Sequence, residues 1–300
     1  MALAQDFLKN ILKPKSGKTT LAFSPIDEIA ASLVWLVAIA IAAVLFWLLS
    51  DIFWQGWRQV NWQFLTSAPE NAGREGGIAP ILVSTALIVG VCLGVSIPLG
   101  VGTAIFLAEF TSQNSWLARF VRSSLDMLAG APSIVFGLFG NAFFSKTLGL
   151  GFSILSGGLT LACMVLPILI RSTQEGLRSV PDDYRRSAAA LGISRTAILW
   201  ELLLPAAMPG MAVGLLLGLG RAIAETAALV FTSGYVDRMP ESLLDSGRSL
   251  SIHIYDLAMN VPGGEKNAYA TALVLVGLLV AINAIISYLA LRFRKSRINL

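Results

Sequence analysis

The sequence predicts an all-α integral membrane protein with six transmembrane helices, and three observations carry that expectation. The first is composition: 55% of the 300 residues are hydrophobic and only 13% charged, about half the charge that coats a typical soluble domain. The second is the spacing of charge, which leaves 29–50, 76–108, 127–145, 147–170, 202–220 and 267–291 without a single charged side chain. Runs of this kind match the ~20 apolar residues a helix needs to cross a bilayer. The third is the placement of lysine and arginine. Counted on alternate sides of six spans, fifteen of the 22 fall on one side and six on the other, with Arg221 inside a span. That bias places both termini in the cytoplasm. The basic balance is thereby explained by topology, and nucleic acid is not expected as a partner.

Each span follows from its own stretch. The first, 29–50, follows a basic tail, 1–28, holding Lys9, Lys13, Lys15 and Lys18; with no small-residue cleavage pattern near its end, it reads as a retained span rather than a signal peptide. Trp54, Trp57 and Trp62 come next, as at an interface. The second span, 78–99, lies in an uncharged stretch too long for one straight crossing, so Pro98, Gly100 and Gly102 are expected to bend it. The third and fourth are 124–144 and 153–170. The fifth is read as one helix over 208–232 with Arg221 and Glu225 inside it, and the sixth as 269–291. The transmembrane domain thus runs over 29–292, followed by a cytoplasmic tail, 293–300.

The longest cytoplasmic loop is organised beyond what a connector needs. Pro181-Asp182-Asp183 starts a helix with acids at the positive end of its dipole. Alanines follow Tyr184, Gly192 can take the left-handed conformation that ends such a helix, and Ser194 can cap a second one. Pro205 is expected to stop that second helix, giving a rigid elbow over 181–205.

Several chemistries fall away. Gly17-Lys18-Thr19-Thr20 imitates a phosphate loop, but Leu12 stands where the leading glycine belongs. His253 is the only histidine, and Cys92 and Cys163 sit in apolar runs as small hydrophobes. No cofactor and no metal is expected. A membrane-embedded enzyme would need an activated nucleophile, for which no span offers a histidine or a lysine–aspartate pair.

Charges at bilayer depth cost at least ~3 kcal/mol and ask for a pathway or a partner. At ~100° per residue, Gly210, Gly214, Gly218, Arg221 and Glu225 share one small-residue stripe. A guanidinium fork suits an oxyanion. Two readings stay open: Arg221 and Glu225 line an anion path, or they form an intrahelical ion pair of purely structural use. Ser133, near the apolar start of the third span, can add a hydrogen bond to such a path or bond its own helix.

The segment Arg186-Ser187-Ala188, Gly192, Leu202, Leu204-Pro205 resembles the cytoplasmic signature of importer-type ABC permeases, E-A-A-x3-G-x9-I-x-L-P. Arg186 stands at the glutamate and Ser187 at the first alanine. Further segments resemble phosphate permeases: Gly76 to Pro80, Pro98 to Val101, Leu128 to Val135, Gly220 to Ala227, and His253 to Gly264. The likeness is to the PstA type more than to its PstC-type sister. The resemblance implies a type I importer permease without catalysis of its own, forming half of a phosphate pathway. It further implies a PstC-like second permease, a PstB-like ATPase dimer and a PstS-like phosphate-binding protein, in a bacterial inner membrane among lipid. On it, Tyr184, Arg186, Ala188, Gly192, Leu204 and Pro205 couple to the ATPase, and Arg221, Glu225 and Ser133 serve the substrate. The alternative within transport is a permease for sulfate or molybdate.

Overall fold

The computed structural model describes residues 25–112 and 114–298. The expected features of the N-terminal tail before residue 25, including Gly17 to Thr20, lie outside the described residues, as do 299–300 at the other end. The chain divides into two units, 1–50 and 51–300. In the first, the described side chains of helix α1 (Pro25–Gly56) are exposed as far as Ser50, where that unit ends.

The second unit is helical around one short hairpin. It runs α2 (Trp62–Thr66), strands β1 (Pro69–Glu70) and β2 (Glu75–Gly76), α3 (Ala79–Ile105), α4 (Trp116–Gly130), α5 (Ser133–Gly140) and α6 (Ile154–Arg178). Next come α7 (Asp182–Ala190), α8 (Arg195–Ala197), α9 (Leu204–Ala224), α10 (Ala227–Val230), α11 (Leu250–Met259) and α12 (Glu265–Ile298). Wider, π-type turns extend α3 through Phe106–Phe110, α5 through Asn141–Thr147, and join α8 to α9 through Ile198–Leu203. Serine recurs as the starter: Ser115, Ser153, Ser194 and Ser249 each accept a backbone N–H in the first turn of α4, α6, α8 and α11.

Among the described residues five helical stretches are long and apolar enough to cross a membrane: Ala31–Gly56, Ala79–Phe110, Ile154–Arg178, Arg195–Ala224 and Glu265–Ala290. A sixth candidate is the pair Trp116–Gly130 and Ser133–Thr147, bent by 105°. Helix α6 is the centre, packed by α3 and α9 and touched by α4, α5 and α10. Its core holds Ile154, Leu161 and Val165 against Ile88, Cys92, Phe136, Ala222, Leu229 and Ile252. The α6–α9 seam is closed by glycine. A Cβ on Gly210 would stand 2.6 Å from the Gly176 Cα, and one on Gly218 2.6 Å from Val165 Cγ1. The small-residue stripe of α9 is therefore a helix-packing face.

Three expected spans change shape. The stretch 124–144 is not one helix: Ala131 is extended (φ −72°, ψ 134°), because Pro132 disfavours helical backbone in the residue before it. The stretch 208–232 is not one helix either. It ends at Ala224, and Glu225 turns extended (ψ 127°) with its carbonyl taken by Ser251 Oγ at 2.6 Å. The 78–99 span continues unbroken through Pro98 and on to Phe110. Pro205, expected to stop the elbow, instead stands at the start of α9 directly after the π-type turns, and the helical stretch runs on through it from Arg195 to Ala224.

Candidate functional site

Two helix breaks meet. Gly137 of α5 packs on Ala228 of α10, a Cβ there falling 2.9 Å from the Ala228 Cα. One turn on, a Cβ on Gly140 would lie 2.9 Å from Thr232 Cγ2, and Asn141 Nδ2 donates to the Phe231 carbonyl at 2.6 Å. The two segments run side by side in the same direction. Ser133 opens α5 after Pro132, half-buried, and its hydroxyl has no hydrogen-bond partner among the described residues. It faces the positive end of its own helix rather than back-bonding within it.

Arg221 lies in the last turn of α9, where the negative end of the helix dipole favours a cation. The side chain is half-buried and makes no hydrogen bond or ion pair with any described residue. The ion pair with Glu225, one of the two readings left open by the sequence, does not form. The break carries Glu225 off the helical stripe, and its Oε1 accepts the Ala228 N–H at 3.2 Å, tying down the start of α10. The extended backbone at Glu225, not any lack of attraction, separates the two charges. Around them, Ser251 holds the Glu225 carbonyl and Ser249 holds Ser251 at 2.8 Å, while Thr85 Oγ1 accepts the Leu250 N–H at 2.9 Å. The region around the α9–α10 break thus combines a guanidinium without a partner among the described residues and an unwound backbone segment, and α5, which Ser133 opens, packs on α10 beyond that break. Unwound backbone at membrane depth is tolerated only where protein or a water-filled cavity surrounds it.

The elbow follows its expected geometry at the two positions that define it. Gly192 sits at φ +73°, and Ser194 Oγ accepts the Ala197 N–H at 3.2 Å. Ala188 and Leu204 are buried in one apolar cluster with Leu177, Val180, Ile198, Leu199, Leu203 and Ala207. Pro205 is half-buried beside them. Tyr184 is 54% exposed and lines an open groove with Ser187, Leu191, Ile193 and Leu202. Arg186 is exposed and has no partner among the described residues.

Two polar hubs escaped the reading of the sequence. Beside Arg186, Arg185 forms a fork on Glu109, with Nη2 to Oε1 at 2.7 Å and Nε to Oε2 at 3.2 Å. These hydrogen bonds, more than the charge itself, raise the Arg185 pKa above its usual value. The only sequence signal was Glu109 standing directly after a 33-residue uncharged run, 76–108. At the other hub Arg248, 8% exposed, donates to the Tyr235 carbonyl at 2.8 Å and pairs with Asp256 at 3.2 Å. Its Nη1 also meets His253 Nδ1 at 3.3 Å. Burial first, and Arg248 second, push His253 down to about 3. Arg171, expected in a loop, extends α6 and pairs with Asp126 of α4.

With this geometry in hand, the likenesses to known proteins are specific. The family described as "Binding-protein-dependent transport system inner membrane component" matches residues 96–297. The chain is 32% identical over 272 residues to the probable ABC transporter permease protein YqgI of Bacillus subtilis, covering 86% of this chain and 92% of that protein. It is 31% identical over 260 residues to phosphate transport system permease protein PstA 1 of Mycobacterium tuberculosis, covering 84% of each. Among solved structures it resembles a bacterial ABC transporter that imports the acidic polysaccharide alginate. The TM-score is 0.59 at 13% identity, over 97% of this chain and 99% of that one. At that identity the likeness speaks for the fold.

Proposed function

We propose that this chain, which belongs to the family of binding-protein-dependent transport system inner membrane components, is the permease subunit of an ATP-driven inorganic phosphate importer. Arg221 carries the reading: a half-buried guanidinium with no partner among the described residues, in the last turn of α9 just before that helix breaks. An arginine fork presents parallel N–H donors to two oxygens of a tetrahedral anion. The hydroxyl of Ser133 and the N-terminal end of α5 favour the same charge. Relatives named as phosphate permeases supply the substrate.

In this reading the chain is a multi-pass protein of the bacterial inner membrane with both termini cytoplasmic, and it forms half of the pathway. A PstC-like permease supplies the other half, a PstB-like ATPase dimer the energy, and a PstS-like protein delivers phosphate from outside. Hydrolysis belongs to the ATPase, and this chain carries no catalytic site. Its elbow presents Tyr184, Arg186 and Gly192 to that ATPase, with Ala188, Leu204 and Pro205 supporting the elbow from within, and the exposed groove beside Tyr184 receives an apolar segment. Arg186, without a partner among the described residues, then meets an acidic or neutral surface.

The test is reconstitution of the importer in proteoliposomes with phosphate, sulfate or molybdate supplied through the binding protein. Phosphate is expected to stimulate ATP hydrolysis and uptake together. Stimulation by sulfate or molybdate alone would replace phosphate with that anion and keep the permease.

A further inference from the structure

We propose that Arg185 is a positioning residue that clamps the end of α3 to the coupling elbow, so that motion received by the elbow enters the membrane through α3 as well as through α6 and α9. The inference rests on the permease reading above and deepens it.

Covalently, the elbow continues only α6 before it and α9 behind it. Helix α3 ends at Glu109, 76 positions away in sequence from Arg185. Arg185 bridges that gap with every donor it has. Nε and one Nη2 hydrogen go to the two Glu109 oxygens. The remaining Nη2 hydrogen reaches the Leu177 carbonyl at 2.9 Å, at the end of α6. Nη1 reaches the Val180 carbonyl at 2.9 Å and Asp182 Oδ1 at 3.3 Å, in the first turn of α7. A guanidinium has five N–H donors in one rigid plane, and here five acceptors from three elements take them. The pair is shielded, with 24% of the Arg185 side chain and 16% of the Glu109 side chain exposed.

Apolar packing alone would not fix this geometry. Val101, Ile105 and Ala108 of α3 lie against the elbow's core, but apolar contact is non-directional and lets surfaces slide. A bidentate fork sets register and orientation at once. Glu109 also sits in the widened turn Phe106–Phe110, where the helix departs from regular α geometry and ends. Since α3 packs along α6 at the centre of the bundle, a clamp at its end moves a whole membrane-crossing helix.

The experiment uses the full importer in proteoliposomes and compares Glu109→Gln with Arg185→Lys. Glutamine keeps the shape and one acceptor oxygen but loses the charge and the fork. Lysine keeps the charge and loses the plane. For both, co-purification with the ATPase is expected to match wild type and ATP hydrolysis to stay within about twofold, while anion moved per ATP falls by roughly fivefold or more. Glu109→Asp, which retains the fork at shorter reach, is expected to recover part of that ratio. An unchanged ratio in Glu109→Gln would overturn the clamp. Loss of assembly in Glu109→Gln would overturn it too, by assigning the pair to stability alone. If phosphate is the wrong substrate, that failure shows in the wild-type importer, and the ratio is then read with whichever oxyanion stimulates it.

Discussion

Arg185 and Arg221 are each associated with a glutamate, and the two pairs behave oppositely. Glu109 and Arg185 are far apart in sequence and meet in a fork that uses all of the arginine's donors. Glu225 is four residues from Arg221, the favoured spacing for a helical ion pair, and the two do not meet because the helix ends between them. What differs is backbone continuity. A guanidinium whose donors are all taken holds structure together; one without a partner among the described residues has donors to offer, which is the basis of the role proposed for Arg221. Arg248, held by a carbonyl, a carboxylate and an imidazole, belongs with Arg185.

That contrast breaks most visibly at Arg221. Arg221→Ala is expected to abolish uptake in proteoliposomes, and Arg221→Lys to lower it about tenfold or more, the range of charged hydrogen bonds lost. Arg221→Lys, which keeps the cation at the helix end, is not expected to shift the unfolding midpoint of the purified chain. A lower midpoint with normal uptake would make Arg221 structural and reverse its place in the comparison.

Arg185→Ala should do the opposite in stability. It leaves the Glu109 carboxylate and the carbonyls of Leu177 and Val180 without their donor, a loss of about 2–4 kcal/mol. Denaturant unfolding of the purified chain measures it, and an unshifted midpoint would show that the elbow holds its place by apolar packing alone.

The smallest effect sharpens the third arginine. His253 is buried beside Arg248, with Asp256 across from it, and a Cβ on Gly73 would stand 2.8 Å from its ring. Its pKa of about 3 lies below the ordinary histidine value of 6.5. The folded state therefore takes up fewer protons than the unfolded one in that window. Stability from this group is full above pH 6.5 and falls as pH drops toward 3, by about 1.4 kcal/mol per unit well inside it. Between pH 7 and 5.5, hydrogen-exchange protection of the α11 amides, corrected for intrinsic rates, should drop roughly eightfold. His253→Gln should lose that slope, and an equal slope in both proteins would place the titration elsewhere.

The helical membrane character was legible because it needs only composition and charge spacing: a long uncharged run has no stable place in water. The elbow was legible for a local reason too. A glycine at positive φ and a serine cap are set by the residues themselves, whereas Pro205, expected to stop the helix, lies within it. Even the break at 131 had its signal in Pro132, although the uncharged run 127–145 hid it. The break at 225 had none, because Ser251, 26 positions on, holds that carbonyl. Whether Arg221 is paired, and which arginine of Arg185-Arg186 turns inward, were likewise settled by partners from other helices. Local rules choose each helix and its ends; only packing decides which polar groups of separate helices come within bonding distance, and so which charges are spent on structure and which stay free.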